Sequence, residues 1–137
     1  MATYNKFQQT VEDWQEGVYT ASTDQFTIAL TTNANIPVAA NAVLADLTEI
    51  SYTNLSARNL TTSSSGQTSG TFTQLFTDLV LTASGAVATF RHVVIYNNTP
   101  TSPLDPLLSH YDFGSDLTLA DGETLTIDFT TSTYTVT

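Results

Sequence analysis

From Phe26 onward, apolar side chains return at every second position over several stretches, and a period of two selects strands over helices. Phe26, Ile28 and Leu30 alternate with Thr27, Ala29 and Thr31, which predicts a strand with one wet face. Phe90–Asn97, FRHVVIYN, is almost continuously apolar and is expected to be the most central strand. Further strand signals fall at Ser56–Thr62, Thr71–Thr82, Leu107–Phe113, Asp116–Leu119 and Glu123–Phe129, with a short one around Tyr134 and Val136. Asp121-Gly122 predicts a hairpin joining Asp116–Leu119 to Glu123–Phe129, because both residues accept positive φ. Threonine fills 27 of 137 positions, a composition that favours the pleated sheet. About seven strands at intervals of roughly 8–12 residues predict a mainly β fold, an antiparallel β-sandwich or a barrel-like domain.

The N-terminal segment differs. Phe7, Val11, Trp14 and Val18 lie on one stripe at helical spacing, predicting an N-terminal amphipathic helix over residues 1–20. Thr3 or Asn5 would cap it, Glu12, Asp13 and Glu16 would face water, and Gly17 would end it. Residues 33–42 read as a loop broken by Pro37, and Leu44, Leu47 and Ile50 are spaced for a short helical turn. SSSGQTSG, residues 63–70, reads as a flexible loop. The expected organisation is one domain, 1–137, with the β core over 24–137.

Thirteen acidic residues face three basic ones, Lys6, Arg58 and Arg91, for a net charge of −10. That balance argues against nucleic acid, which needs clustered cations, and against an anionic membrane surface. Cysteine is absent, which removes disulfides and thiol chemistry. No apolar run reaches the roughly 20 residues of a membrane span, and the polar opening residues do not read as a signal peptide. A protein made in the cytoplasm is the expectation.

Reactive groups are few. His92 sits in the most apolar strand, and His110 lies two residues from Asp112, so these two share a strand face and could orient an imidazole or offer two metal ligands. Neither a G-x-S-x-G nor an H-E-x-x-H motif is present. Asp112, Asp116, Asp121, Glu123 and Asp128 gather in the last third without a calcium-loop pattern, and read as charges that guard strand edges. Tyr4, Tyr19, Tyr52, Tyr96, Tyr111 and Tyr134 with Trp14 suit packing more than a sugar platform. Arg91, a cation in the most apolar strand, needs a partner, for which Asp112 or Asp128 is expected. No catalytic residue, cofactor or metal site is assigned.

Four segments carry a resemblance: MATYNKFQQTVEDWQEGVY, PVAANAVLADLTEIS, DLVLTASGAVATFRHVVIYN and PLLSHYDFGSDLTLADGETLTIDF. Together they resemble small structural proteins encoded by tailed bacteriophages, over residues 1 to about 129. The resemblance implies a non-enzymatic virion component, best placed as a capsid decoration (cement) protein on the outer face of the head. Its partner would be the major capsid protein, and it would self-associate, with a trimer as one arrangement. The alternatives are a tail component (tube, terminator or fibre-associated) and a carbohydrate- or receptor-binding module. Phe7, Trp14 and Arg91 are the candidate contact residues, on the helix and the central strand.

Overall fold

Eight residues, Phe90–Asn97, form the strand from which the largest sheet spreads. The computed structural model describes residues 3–129 and 134–136. In chain order the elements are β1 (Thr3–Lys6), α1 (Gln9–Gln15), β2 (Phe26–Thr31), β3 (Thr62–Thr68), β4 (Thr71–Phe76) and β5 (Leu79–Thr82), followed by β6 (Phe90–Asn97), β7 (Leu107–Leu117), β8 (Thr124–Ile127) and β9 (Tyr134–Val136). A single 3₁₀ turn, Leu44–Asp46, sits where a short helical turn is expected. Four strands pair in the order β1-β7-β6-β2, three in the order β3-β4-β9, and β5 pairs with β8. Every pairing is antiparallel. The fold is therefore mainly β, and the sheets of the described residues do not close into a barrel. No helix among the described residues is long and apolar enough to cross a membrane.

The pleat of the four-stranded sheet divides its apolar side chains between two clusters. Phe26, Ile28 and Leu30 of β2 join Val93 and Ile95 of β6, and the same cluster takes in Phe76 of β4, Leu81 of β5 and Ile127 of β8. On the opposite face Phe7, Ala29, Val94, Tyr96 and Leu107 form a second, smaller cluster, closed by Leu44 and Leu47. Because both faces are covered, all six residues of β2 are buried, Thr27 and Thr31 included. The wet face expected of this strand does not exist.

The outer edge of β2 is covered as well. Ile50 N donates to Leu30 O, Ile28 N to Arg58 O, and Leu60 N to Phe26 O. Ser56–Thr62, expected as a strand, is thus mostly an irregular segment whose residues 58–60 line that edge, and strand β3 begins only at Thr62. Tyr52 pins the same edge. Its hydroxyl accepts a hydrogen bond from Leu30 N and donates one to Glu49, while the Arg58 guanidinium lies 3.6 Å over its ring centroid. Tyr52→Phe removes the acceptor of a backbone N–H, and is expected to cost about 1–3 kcal/mol in chemical denaturation. Faster hydrogen exchange at the Leu30 amide would accompany that loss; an unchanged amide would show the bond to be dispensable.

The N-terminus corrects the helix expectation. Thr3–Lys6 is a strand, paired in register from Thr3↔Asp112 to Lys6↔Ser109, and α1 has only seven residues. Two turns of helix are marginal by themselves, and the ladder with β7 satisfies the backbone of Thr3–Lys6 instead. Only part of the stripe faces inward: Phe7, ahead of α1, is buried and Trp14 is partly buried, but Val11 is exposed, and the fully buried positions of α1 are Thr10 and Asp13. Thr10 Oγ1 donates to the Leu107 and Leu108 carbonyls, so the helix docks on β7 through a polar contact. Asp13, expected in water, is buried beside Gln9 and the Tyr19 hydroxyl, and burial raises its carboxyl pKa. Gly17, at φ 75°, ends the turn as its composition predicts.

Two connections also depart from expectation. Residues 63–70 form most of a hairpin in which Thr68 pairs with Thr71 across Ser69-Gly70, both at positive φ, the conformation that a two-residue turn requires. The Ala120–Glu123 turn forms with Gly122 at φ 79°, yet it does not join a hairpin. Thr124–Ile127 pairs with Leu79–Thr82 instead, and β7 stays with β6. The short final strand, Tyr134–Val136, pairs with β4.

Candidate functional site

The four-stranded sheet gathers His92, His110 and Asp112 at one end of the face that holds the smaller cluster. Cross-strand register places Thr31 beside His92, His92 beside Asp112, and Asp112 beside Thr3. One rung further on, Val94 lies beside His110, and His110 beside Asn5. The pairing of β6 with β7 is irregular: Phe90 opposes Leu117, while His92, two residues on, already opposes Asp112. That irregularity frees Arg91 from the ladder. Its guanidinium closes a two-pronged pair with Asp112, Nε to Oδ1 at 2.8 Å and a second nitrogen to Oδ2 at 3.2 Å. Asp112, one of the two carboxylates expected for Arg91, is its partner.

The electrostatics follow from this geometry. Asp112 accepts from Arg91 and from the Gly114 amide, which together hold its carboxyl down at about 2. The Arg91 guanidinium is correspondingly pushed further up by the bond to Asp112. His92 is 2% exposed and His110 7%, so desolvation dominates both and disfavours the imidazolium. His110 is lowered to about 4 by burial, then by His92, with Asp112 opposing. Among the described residues, neither ring nitrogen of His92, nor Nδ1 of His110, has a hydrogen-bond partner. The shortest approach of His92 to Asp112 is 4.0 Å, beyond hydrogen-bond length. Phe7 lies against His110 with ring centroids 4.8 Å apart.

His110 and Asp112 do share a strand face, but their chemistry is spoken for by other groups. Asp112 spends both oxygens on Arg91, and both imidazoles are buried in the sheet, where desolvation disfavours their charged form. Among the described residues, no group of three or more His, Cys, Asp or Glu is placed to hold a metal ion. The arrangement sets a burial penalty against protonation of the imidazoles, which acid brings into play. It does not present a base to an open cleft.

Phe7, Trp14 and Arg91 do not form one surface. Phe7 is fully buried in the smaller cluster, which removes it from any docking face. Its aromatic bulk is used to cap His110 and β7. Trp14 is partly buried against Tyr19 and Phe72, with centroids 4.9 and 5.7 Å away, on the side of the larger cluster. Arg91 retains a partly exposed guanidinium, committed to Asp112.

Open surface lies elsewhere. A depression of about 380 Å³ is lined by Val43, Leu44, Ala45, Leu47, Glu49, Leu104 and Asp105. Leu104 on its rim is 64% exposed, and in the loop after β2 Ile36 is 55% and Val38 53% exposed. Burial and the nearby Glu49 raise the Asp105 carboxyl pKa. No sequence motif announces the cluster of Glu49, Tyr52 and Arg58 near this depression. Arg58 carries the signal that would have found it, since it is one of three cations in an acidic chain and, like Arg91, needs a partner.

No protein-family model, curated protein or solved structure matches the chain.

Proposed function

We propose that this chain is a non-enzymatic structural protein of a tailed-phage virion, a decoration protein that binds the outer face of the head and bridges major capsid subunits. The resemblance of its four segments to such proteins supports this reading, and one structural observation carries it further. The imidazoles are buried inside a sheet, whereas the surface offers apolar side chains on loops, Ile36, Val38 and Leu104. That distribution suits adhesion through many weak, repeated contacts. A net charge of −10 opposes non-specific aggregation of the protein before assembly. The sheets are read as a sandwich, with the larger cluster as its filling, because that cluster draws on β2 and β6 from one side and β4, β5 and β8 from the other.

A cryo-EM map of intact particles tests the placement, with this chain expected as density on the shell; density confined to the tail overturns it. Particles lacking the protein are expected to release their genome at a lower temperature or in lower salt than complete ones. A variant carrying Ile36→Asp and Val38→Asp, folded by circular dichroism, is expected to bind such particles ~10-fold or more weakly, from the lost burial of two aliphatic side chains. Undiminished binding would remove this loop from the contact.

A further inference from the structure

Every open sheet has edges, and natural proteins blunt them with charge, proline, shortness or cover. The edges of this protein differ in how far they obey that rule. The outer edge of β2 is covered by residues 49–50 and 58–60. Strand β1 is four residues long and ends at Lys6, β5 is four residues long and held at Thr82 by Ser56, β8 is four residues long between Glu123 and Asp128, and β9 has three residues. Strand β3 is the exception. It runs for seven residues, TSSSGQT, with neither a charge nor a proline, and among the described residues no strand pairs with its outer edge. A register irregularity lies between Thr62 and Ser64, leaving Ser64–Thr68 in unbroken register with β4. Ser64, Gly66, Gln67 and Thr68 are exposed.

Charge decides what this edge suits. From residue 59 to residue 77 the chain has no Asp, Glu, Lys or Arg, although it holds 13 acidic and 3 basic residues in all. A cationic partner would be drawn to the acidic surfaces and away from this neutral one. Two copies at −10 each repel wherever carboxylates meet, and a joint along β3 keeps carboxylates out of the contact. An antiparallel strand pair about a two-fold axis is self-complementary, so the edge needs no second matching surface. Ser, Thr and Gln side chains can also hydrogen-bond across such a pair.

We propose that the outer edge of β3 pairs antiparallel with the same edge of a second copy of this chain, joining two three-stranded sheets into one of six strands. With Ser64–Thr68 in full overlap, Gly66 faces its own copy across the axis. A Cβ added at Gly66 meets nothing within 4 Å, so side chains can be placed there as probes without disturbing the subunit.

Sedimentation velocity over rising concentration is expected to show the mass moving from 14.8 kDa toward twice that value. Gly66→Glu sets two carboxylates opposite each other and is expected to weaken the dimer at least tenfold, whereas Gly66→Thr retains it. Hydrogen exchange on the unmodified protein supplies a second readout: amides within Ser64–Thr68 should slow as concentration rises, and those of β8 should not. A single 14.8 kDa species at every concentration, which would leave the edge to a strand of some other protein, overturns the proposal. So does a trimer, or a dimer indifferent to Gly66→Glu, or exchange in Ser64–Thr68 that ignores concentration.

Discussion

Phe7→Ala is expected to destabilise the protein by roughly 3–5 kcal/mol, the usual cost of emptying a buried aromatic site. Phe7 is fully buried among Ala29, Val94, Tyr96 and Leu107 in the smaller cluster, a group too small to close over the void. In a domain of this length such a loss lowers Tm by about 10–17 °C. A second effect distinguishes Phe7 from any other core phenylalanine. Its ring lies against His110, so its removal admits water to an imidazole now held at about 4. The pKa of His110, followed by the shift of its ring proton in NMR, should climb toward the ordinary 6.5. Loss of stability with an unmoved His110 would mean that other groups keep the imidazole dry.

Acid is expected to weaken the fold well before its ordinary carboxylates titrate. A histidine whose folded pKa lies below its unfolded value contributes stability that is complete above about 6.5 and is lost as pH falls through the folded pKa. For His110 that window runs from 6.5 down to about 4, and the loss amounts to about 3 kcal/mol. His92, also lowered by burial, acts in the same direction. Asp112 adds a later loss between 3.8 and about 2, as protonation breaks its pair with Arg91. Asp13 and Asp105 work the other way, because burial raises both and protonation relieves them. Denaturant melts across this range should show the early decline, and His110→Leu should flatten it. An equal slope in that variant would move the effect to His92.

How much of this was legible in the sequence depends on the range of the interaction. Strand β6 was legible because a nearly unbroken apolar run has to lie inside a sheet. The Arg91–Asp112 pair was legible in kind, since a lone cation there required a carboxylate. Its geometry was not, because the slip in register that brings His92 level with Asp112 is a property of two strands together. Local signals misled where a distant partner settled the matter. Thr3–Lys6 lies at the start of a convincing helical stripe, yet β7, more than a hundred residues later, offers it a ladder. The Ser- and Gly-rich segment before β4 has the composition of a loop, and only Ser69-Gly70 is used as one. Asp121-Gly122 marked a real turn, but a turn does not say which strand its arms will choose. Phe7, Trp14 and Arg91 were separated by the same long-range choices.

The pairing of β1 with β7 has a temporal consequence. A ribosome emits Thr3–Lys6 about a hundred residues before Leu107–Leu117, so the nascent chain holds an orphan ribbon until β7 emerges. The largest sheet can be finished only after β7 has been made, and its assembly belongs to the slower, topology-limited kind.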